Sequence, residues 1–177
     1  GGDSQGIDAN SVVNDFASFN AKVADIWNTQ NSRSLVETYL SGREYSVGIF
    51  EDYASGTLTA MPIEIIAQMN ENGQRILDFD IKRFDSEQVI SVKNPMIHKQ
   101  LSTLAKAAFR ALNGKAFGRI DIKMNHLNTP YFMEANLMPG LRKGYFYQSC
   151  ALNLNLTYEQ MILKIANNGL TPTIARA

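Results

Sequence analysis

The sequence predicts an α+β fold, an antiparallel β-sheet with helices packed on one side. Three observations carry this. Two alternating runs, 118–124 and 131–137, flank the polar turn at 125–130, and alternation marks a strand with one buried face. Two further strand-like runs, 44–50 and 58–66, flank a turn at 52–56, the short spacing that joins antiparallel neighbours. Apolar residues also recur at helical spacing in two longer stretches, 11–28 and 95–112.

Residues 1–10 are small, polar and glycine-rich, and read as a loop. Ser11 is placed to cap a helix running to about Asn28, with Val12, Phe16, Phe19, Val23, Ile26 and Trp27 as its apolar stripe. Residues 28–33 interrupt the pattern, and 35–40 form a short apolar segment before Ser41-Gly42 and the first strand. The turn signal Asn70-Glu71-Asn72-Gly73 follows the second strand, and 76–82 reads as a third. Residues 83–94 are polar and read as a mobile loop. A helix over 95–112 is expected to bury Ile97, Leu101, Leu104, Ala105, Ala108 and Leu112, with Pro95 suited to its first turn. After the hairpin, Met138-Pro139-Gly140-Leu141 breaks the strand, and an aromatic cluster of Tyr145, Phe146 and Tyr147 follows. Thr157-x-x-Gln160 has the spacing of a capping box for a last helix ending near Gly169. The tail at 170–177 has no pattern.

At 177 residues the chain has room for one domain with a proper core, or two small lobes. Lys plus Arg equals Asp plus Glu, 17 of each, so no net field favours nucleic acid or an anionic membrane. The single cysteine, Cys150, excludes an internal disulfide framework and fits a reducing compartment; its simplest reading is a small buried hydrophobe. No apolar run reaches about 18 residues, so no membrane span is expected, and no signal peptide is visible. The chain begins with Gly rather than Met, so a fragment, a processed chain or a trimmed one is expected.

The chemistry concentrates in the charged hairpin. Alternation puts Arg119, Asp121 and Lys123 on one face of its first strand, and Phe132, Glu134 and Asn136 on one face of its second. If Met124 pairs with Tyr131 across the turn, Asp121 lies opposite Glu134 and Arg119 opposite Asn136. Like charges directly opposite destabilise a sheet. A divalent cation between them removes that cost, and Mg²⁺ takes one or two carboxylates together with substrate oxygens. The alternative is a solvated face whose acids pair with Arg119 and Lys123.

Five segments in order resemble a known family: 37–45 (Glu-Thr-Tyr-Leu-Ser-Gly-Arg-Glu-Tyr), 61–65 (Met-Pro-Ile-Glu-Ile), 77–82 (Leu-Asp-Phe-Asp-Ile-Lys), 118–121 (Gly-Arg-Ile-Asp) and 134–140 (Glu-Ala-Asn-Leu-Met-Pro-Gly). Together they resemble the ATP-grasp superfamily, and most closely the C-terminal part of D-alanine-D-alanine ligases. The resemblance runs from the first loop to about Gly169. It implies a C-terminal ATP-grasp lobe at 11–169, incomplete at its N-terminus and preceded by a glycine-rich phosphate loop at 1–10. It further implies an ATP- and Mg²⁺-dependent carboxylate–amine ligase, with Mn²⁺ as an alternative ion, working through an acyl phosphate on small amino-acid substrates in the cytoplasm. A second copy of the chain is a further candidate partner.

Residue by residue, the resemblance assigns Asp121, Glu134 and Asn136 to the metal ions and Arg119, Gly140 and Lys82 to catalysis. A guanidinium fork suits charge on a phosphoryl group, and the Gly140 N–H suits an oxyanion; the plainer readings are a salt bridge and a Pro-Gly turn. Glu37, Tyr39, Leu40 and Glu44 match the adenosine segment, with Glu44 on the ribose hydroxyls, although Tyr39 and Leu40 also read as core. Lys82 matches a lysine near the terminal phosphates, and Ser4 the phosphate loop. Two departures fall in the acceptor site. Leu141-Arg142-Lys143-Gly144-Tyr145-Phe146-Tyr147 stands where the family carries a small polar stretch with His and Ser, and Lys82 is followed by Arg83 rather than Tyr. Arg142, Lys143 or the tyrosine hydroxyl is then left to meet an acceptor carboxylate. A nucleotide- and metal-binding module without catalysis of its own, or a relative acting on a different amino acid or peptide, remains the alternative.

Overall fold

The computed structural model describes residues 7–8, 10–66 and 87–170. The strand expected at 76–82, the turn at 70–73, and the candidates Ser4, Lys82 and Arg83 lie outside the described residues. The chain divides into two compact units: Gly1–Ser41 with Ile66–Gln88, and Gly42–Ile65 with Val89–Ala177.

The first unit holds helix α1 (Phe16–Gln30). Asp15, not Ser11, caps it: Asp15 Oδ1 accepts from the Ser18 N–H at 2.8 Å. Ser11 belongs to a turn instead, its N–H donating to the Asp8 carbonyl and its hydroxyl accepting from the Asp8 N–H. Lys22 ties that turn to the helix through Asp8 at 2.7 Å. Asn31 ends α1 in the left-handed region, φ 49°, where Asn is tolerated. The expected apolar stripe is partly covered: Val12, Phe19, Val23 and Ile26 are half-buried, Phe16 and Trp27 are exposed, and no residue of α1 is fully buried.

The second unit is built on β1 (Glu44–Glu51), β2 (Leu58–Ile66), β3 (Gln88–Ser91), helix α2 (Pro95–Ala111), β4 (Phe117–Met124), β5 (Pro130–Asn136), α3 (Tyr145–Leu154) and α4 (Tyr158–Leu170). The strands form one sheet in the order β3-β2-β1-β4-β5. The β1–β2, β1–β4 and β4–β5 pairings are antiparallel. The central strand β1 is buried on both faces from Tyr45 to Phe50, whereas β4 alternates buried and half-buried positions. That contrast identifies a strand covered on both sides and one whose second face is open.

The helices divide between the two faces, which corrects the expected one-sided packing. Tyr45, Val47, Ile49, Ile120, Ile122 and Met124 pack against Leu101, Ala105 and Phe109 of α2. On the opposite face Phe50 and Met61 pack with Phe146 and Cys150 of α3 and Met161 of α4. Helix α3 was legible only as an aromatic cluster. Its buried positions, Phe146, Ser149 and Cys150, mix a small polar residue into the stripe. Strand β3 falls where a polar loop was expected; Val89 and Ile90 are its β-branched pair. Asn94 caps α2, accepting from the Met96 and Ile97 N–H groups, and the Thr157–Gln160 capping box forms as expected. Within α2, Phe109 is buried while Leu112 lies outside the core.

Gly42 and Gly118 are both required by contact. The Gly42 N–H donates to the Met124 carbonyl at 2.9 Å, and a Cβ there would lie 2.5 Å from that same oxygen. A Cβ at Gly118 would lie 2.7 Å from the Phe109 ring.

Candidate functional site

The hairpin of β4 and β5 sets Asp121 opposite Glu134 and Arg119 opposite Asn136. At the turn end the register differs from expectation. Met124 pairs with Pro130, not Tyr131, and Ile122 pairs with Phe132. The ladder shifts between Asp121 and Ile122, leaving Met133 as an extra residue on β5. This is a β-bulge, which re-aims the side chains beyond it. Phe132 is therefore opposite core-facing Ile122 rather than on the Glu134 face.

On β4 the face bearing Arg119, Asp121 and Lys123 continues onto β1. Lys123 pairs with Glu44, Asp121 with Ser46, and Arg119 with Gly48. Helix α3 covers the Gly48 end, where Ser149 is the nearest side chain to a Cβ built on that glycine. Tyr145, the first residue of α3, lies beside Arg119, with the guanidinium carbon 5.5 Å from the ring centroid.

Asp121 is held by three side chains. The Ser46 hydroxyl donates to Oδ1 at 2.7 Å. Arg119 donates from Nε to Oδ1 at 3.0 Å and from Nη2 to Oδ2 at 2.8 Å, a bidentate fork. Asn136 Nδ2 donates to Oδ2 at 3.3 Å and to Glu134 Oε1 at 3.4 Å. The same guanidinium stands 3.9 Å from Glu134 Oε1. Burial disfavours the Arg119 charge, but Asp121 beside it, with Glu134 and Tyr145 adding, raises its pKa above the ordinary arginine value. The two acids and one guanidinium leave this patch with one net negative charge.

The plainer alternative for the hairpin is thus realised for Arg119, which pairs with both acids, but not for Lys123. Lys123 Nζ reaches Glu44 Oε2 at 3.0 Å across to β1. Ser46 and Lys123 were missed as site residues. Ser46 sits in an apolar strand with no motif around it, and the partners of both are set by the β1–β4 register, which joins segments far apart in sequence.

The remaining candidates are placed unevenly. Glu44 is on the site face of β1, paired with Lys123. Gly140 is exposed, and a Cβ there would meet no atom within 4 Å, so packing does not require glycine at this position. In the first unit Glu37 and Tyr39 are exposed and Leu40 is half-buried, all outside regular structure. Tyr39 and Leu40 are therefore not core. Among the acceptor-site candidates, Lys143 lies over the Tyr158 ring at 5.8 Å, while Tyr145 stands at Arg119.

The donor set fits a hard divalent ion. Asp121 and Glu134 supply carboxylate oxygens on facing positions, and Asn136 an amide, the count Mg²⁺ takes when phosphates complete its shell. Among the described residues no group of three or more His, Cys, Asp and Glu is arranged to hold a metal; the set is two acids and an amide. Holding an ion here would require two adjustments. The Asn136 amide, which turns its nitrogen to the acids here, must reverse to offer its oxygen, and Arg119 must yield lone pairs of Asp121.

Comparison with known proteins places these features. Residues 1–167 match the family model described as D-ala D-ala ligase C-terminus. A D-alanine-D-alanine ligase of Laribacter hongkongensis is 30% identical over 134 residues, covering 74% of this chain and 40% of that protein. One of Ruthia magnifica is 27% identical over 140 residues, covering 77% and 44%. The chain thus spans less than half the length of these curated relatives. Among solved structures, the Bacillus anthracis D-alanine-D-alanine ligase complexed with ATP superposes with a TM-score of 0.69 at 19% identity, covering 89% of this chain and 48% of that one. The Enterococcus faecalis VanG D-Ala:D-Ser ligase gives a TM-score of 0.63 at 15% identity, covering 87% and 43%. With a model match over nearly its whole length, the five-stranded sheet and the Arg119–Asp121–Glu134 hairpin are those of a chain that belongs to the D-Ala-D-Ala ligase C-terminal family.

Proposed function

We propose that this chain is the metal- and phosphate-handling part of an ATP-dependent carboxylate–amine ligase of the D-alanine-D-alanine type. The observation that carries the reading is the facing of Asp121 and Glu134 with Arg119 bridging them. In this reading a substrate carboxylate attacks the γ-phosphate, giving an acyl phosphate and ADP. An amine then attacks the acyl carbon, phosphate leaves, and the amine proton is lost. Asp121, Glu134 and Asn136 would hold Mg²⁺, or Mn²⁺ in its place, which neutralises phosphate charge. Arg119 would meet the charge on the transferring phosphoryl group and the tetrahedral intermediate, and the exposed Gly140 N–H would serve the oxyanion. Glu44, poised on the site face, would take the ribose hydroxyls. Glu37, Tyr39 and Leu40 would contribute the adenine slot, and Ser4 and Lys82 the phosphates.

The acceptor is the open half of this reading. D-Alanine is first in rank because the two curated relatives named above are D-alanine-D-alanine ligases. Tyr145, in the segment that departs from the family pattern, stands beside Arg119. Among the described residues no helix is long and apolar enough to cross a membrane, which is compatible with a cytoplasmic enzyme; a homodimer is part of the same proposal. Phosphate release from ATP, measured with D-alanine, with L-amino acids and with no acceptor, tests the reaction on this chain and on a longer protein containing it. Acceptor-dependent release by the longer protein is expected, and its absence there removes the ligase reading.

A second reading is kept because the chain spans less than half the length of its relatives. It would then bind nucleotide and metal without turning over. Mg-ATP raising the melting temperature of the chain, with no phosphate release, is its signature.

A further inference from the structure

We infer that Ser46 is a positioning residue for the cation site, fixing the Asp121 carboxylate so that Oδ2 is the oxygen offered beside Glu134. The inference rests on the metal reading of Asp121 and Glu134. Ser46 lies on the central strand β1, directly opposite Asp121, and is fully buried. A carboxylate only accepts, so the 2.7 Å contact must be the hydroxyl donating to Oδ1.

The other donors to Asp121 are of a different kind. Arg119 carries a long flexible side chain, and Asn136 shares its amide between two acids at 3.3 and 3.4 Å. Both can move aside when a cation or a phosphate competes for them. Ser46 has far less freedom: it is fully buried, its side chain has a single rotatable bond before the oxygen, and the strand that carries it is paired on both sides. The hydroxyl therefore pins one oxygen while the other remains exchangeable. Oδ2 is the oxygen on the side of Asn136 and Glu134, because Asn136 donates to both Oδ2 and Glu134 Oε1. A ligand carboxylate held in this way binds its ion with a fixed plane, and loss of such a partner costs about 10- to 100-fold in metal affinity.

The test is binding of Mn-ATP by the 177-residue chain, read as the change in the Mn²⁺ electron paramagnetic resonance signal relative to the same Mn-ATP solution without protein. Ser46→Ala is expected to weaken Mn²⁺ binding by about 10-fold or more, and Ser46→Thr, which keeps the hydroxyl, to restore it. Ser46→Cys nearly keeps the shape of the side chain but offers only a weak donor, and is expected to bind weakly as well; it covers the case in which the alanine variant does not fold. Melting temperatures measured without metal separate a lost hydroxyl from a lost fold. If Ser46→Ala and Ser46→Cys bind Mn²⁺ as the unaltered chain does while Glu134→Gln does not, the role of Ser46 is overturned and the metal reading stands. If the unaltered chain itself holds no Mn²⁺ with ATP, the metal reading falls and the inference falls with it.

Discussion

Arg119 sits on Asp121 through a two-pronged contact, Nη2 to Oδ2 at 2.8 Å and Nε to Oδ1 at 3.0 Å, and leans to within 3.9 Å of Glu134. The guanidinium already does part of what a divalent ion would do there: it separates two facing negative charges. Guanidinium and metal therefore compete for Asp121. Arg119→Met is expected to tighten Mn²⁺ binding to the nucleotide-free chain several-fold. In a longer protein with ligase activity, the same change is expected to lower turnover by about 10²-fold or more, the usual cost of losing a transition-state donor. Weaker Mn²⁺ binding by the variant, at unchanged melting temperature, contradicts the competition.

Glu134 differs from Asp121 in exposure. Its side chain is 59% exposed while that of Asp121 is 14% exposed. Replacement at an exposed position away from packed contacts changes stability by about 0.5 kcal/mol or less. Glu134→Gln is therefore expected to fold normally and to lose Mg²⁺-dependent ATP affinity, measured by calorimetry with and without Mg²⁺. A variant that binds Mg-ATP as the unaltered chain does removes Glu134 from the metal site.

Phe109 and Gly118 form a ring-in-notch contact between α2 and β4, since a Cβ at Gly118 would approach the ring to 2.7 Å. The ring is buried and shares the core with Ile120 and Ile122. Gly118→Ala forces that ring to shift and is expected to destabilise the chain by about 1–3 kcal/mol. In the background of Phe109→Leu the same change should cost less, with a coupling of at least about 0.5 kcal/mol. Urea titrations of the four proteins measure it. Additive costs would mean that the ring is not what Gly118 accommodates.

The hairpin shows how far residue order carries a structural reading. Alternation together with an assumed pairing of Met124 with Tyr131 put Asp121 opposite Glu134, and the coordinates agree on that pair. The expected pairing of Met124 with Tyr131 was one residue off, and the bulge at Met133 absorbed the difference. Nothing local marks that bulge, because β5 carries no glycine and the extra residue, Met133, is exposed like Phe132 and Glu134 on either side of it. Long-range facts were out of reach for the same reason. Ser46 meets Asp121, and Lys123 meets Glu44, only because β1 and β4 pair across more than seventy intervening positions. Helix α3 failed to register because its buried side includes Ser149 and Cys150, while Leu152 and Leu154 are exposed. The apolar stripe of α1 was read correctly as a pattern, yet no residue of the helix is buried. Periodicity reports which face seeks cover and not what supplies it.

Two buried weak acids couple the stability of the fold to alkaline pH. Burial pushes the Cys150 thiol from 9.0 up to about 12, with Lys164 opposing. Burial, and then the charge of Glu64, pushes the Tyr45 phenol from 10.0 up to about 12, with Arg43 opposing. Both groups are neutral when protonated, and the folded chain holds each proton more tightly than the unfolded chain does. Above the unfolded value and below the folded one, the unfolded chain has released a proton that the folded chain retains. Stability must therefore fall as pH rises through that window. The decline starts near 9.0 for Cys150 and near 10.0 for Tyr45, and ends for both at about 12. Cys150→Ala removes the earlier contribution. Its urea midpoint is expected to sit lower at neutral pH, because the thiol packs against Phe50, Met61 and Phe146. It should also stay level about one pH unit further into the alkaline range. If both proteins lose stability along parallel curves above about pH 9, the buried thiol is not what the alkaline chain must ionise.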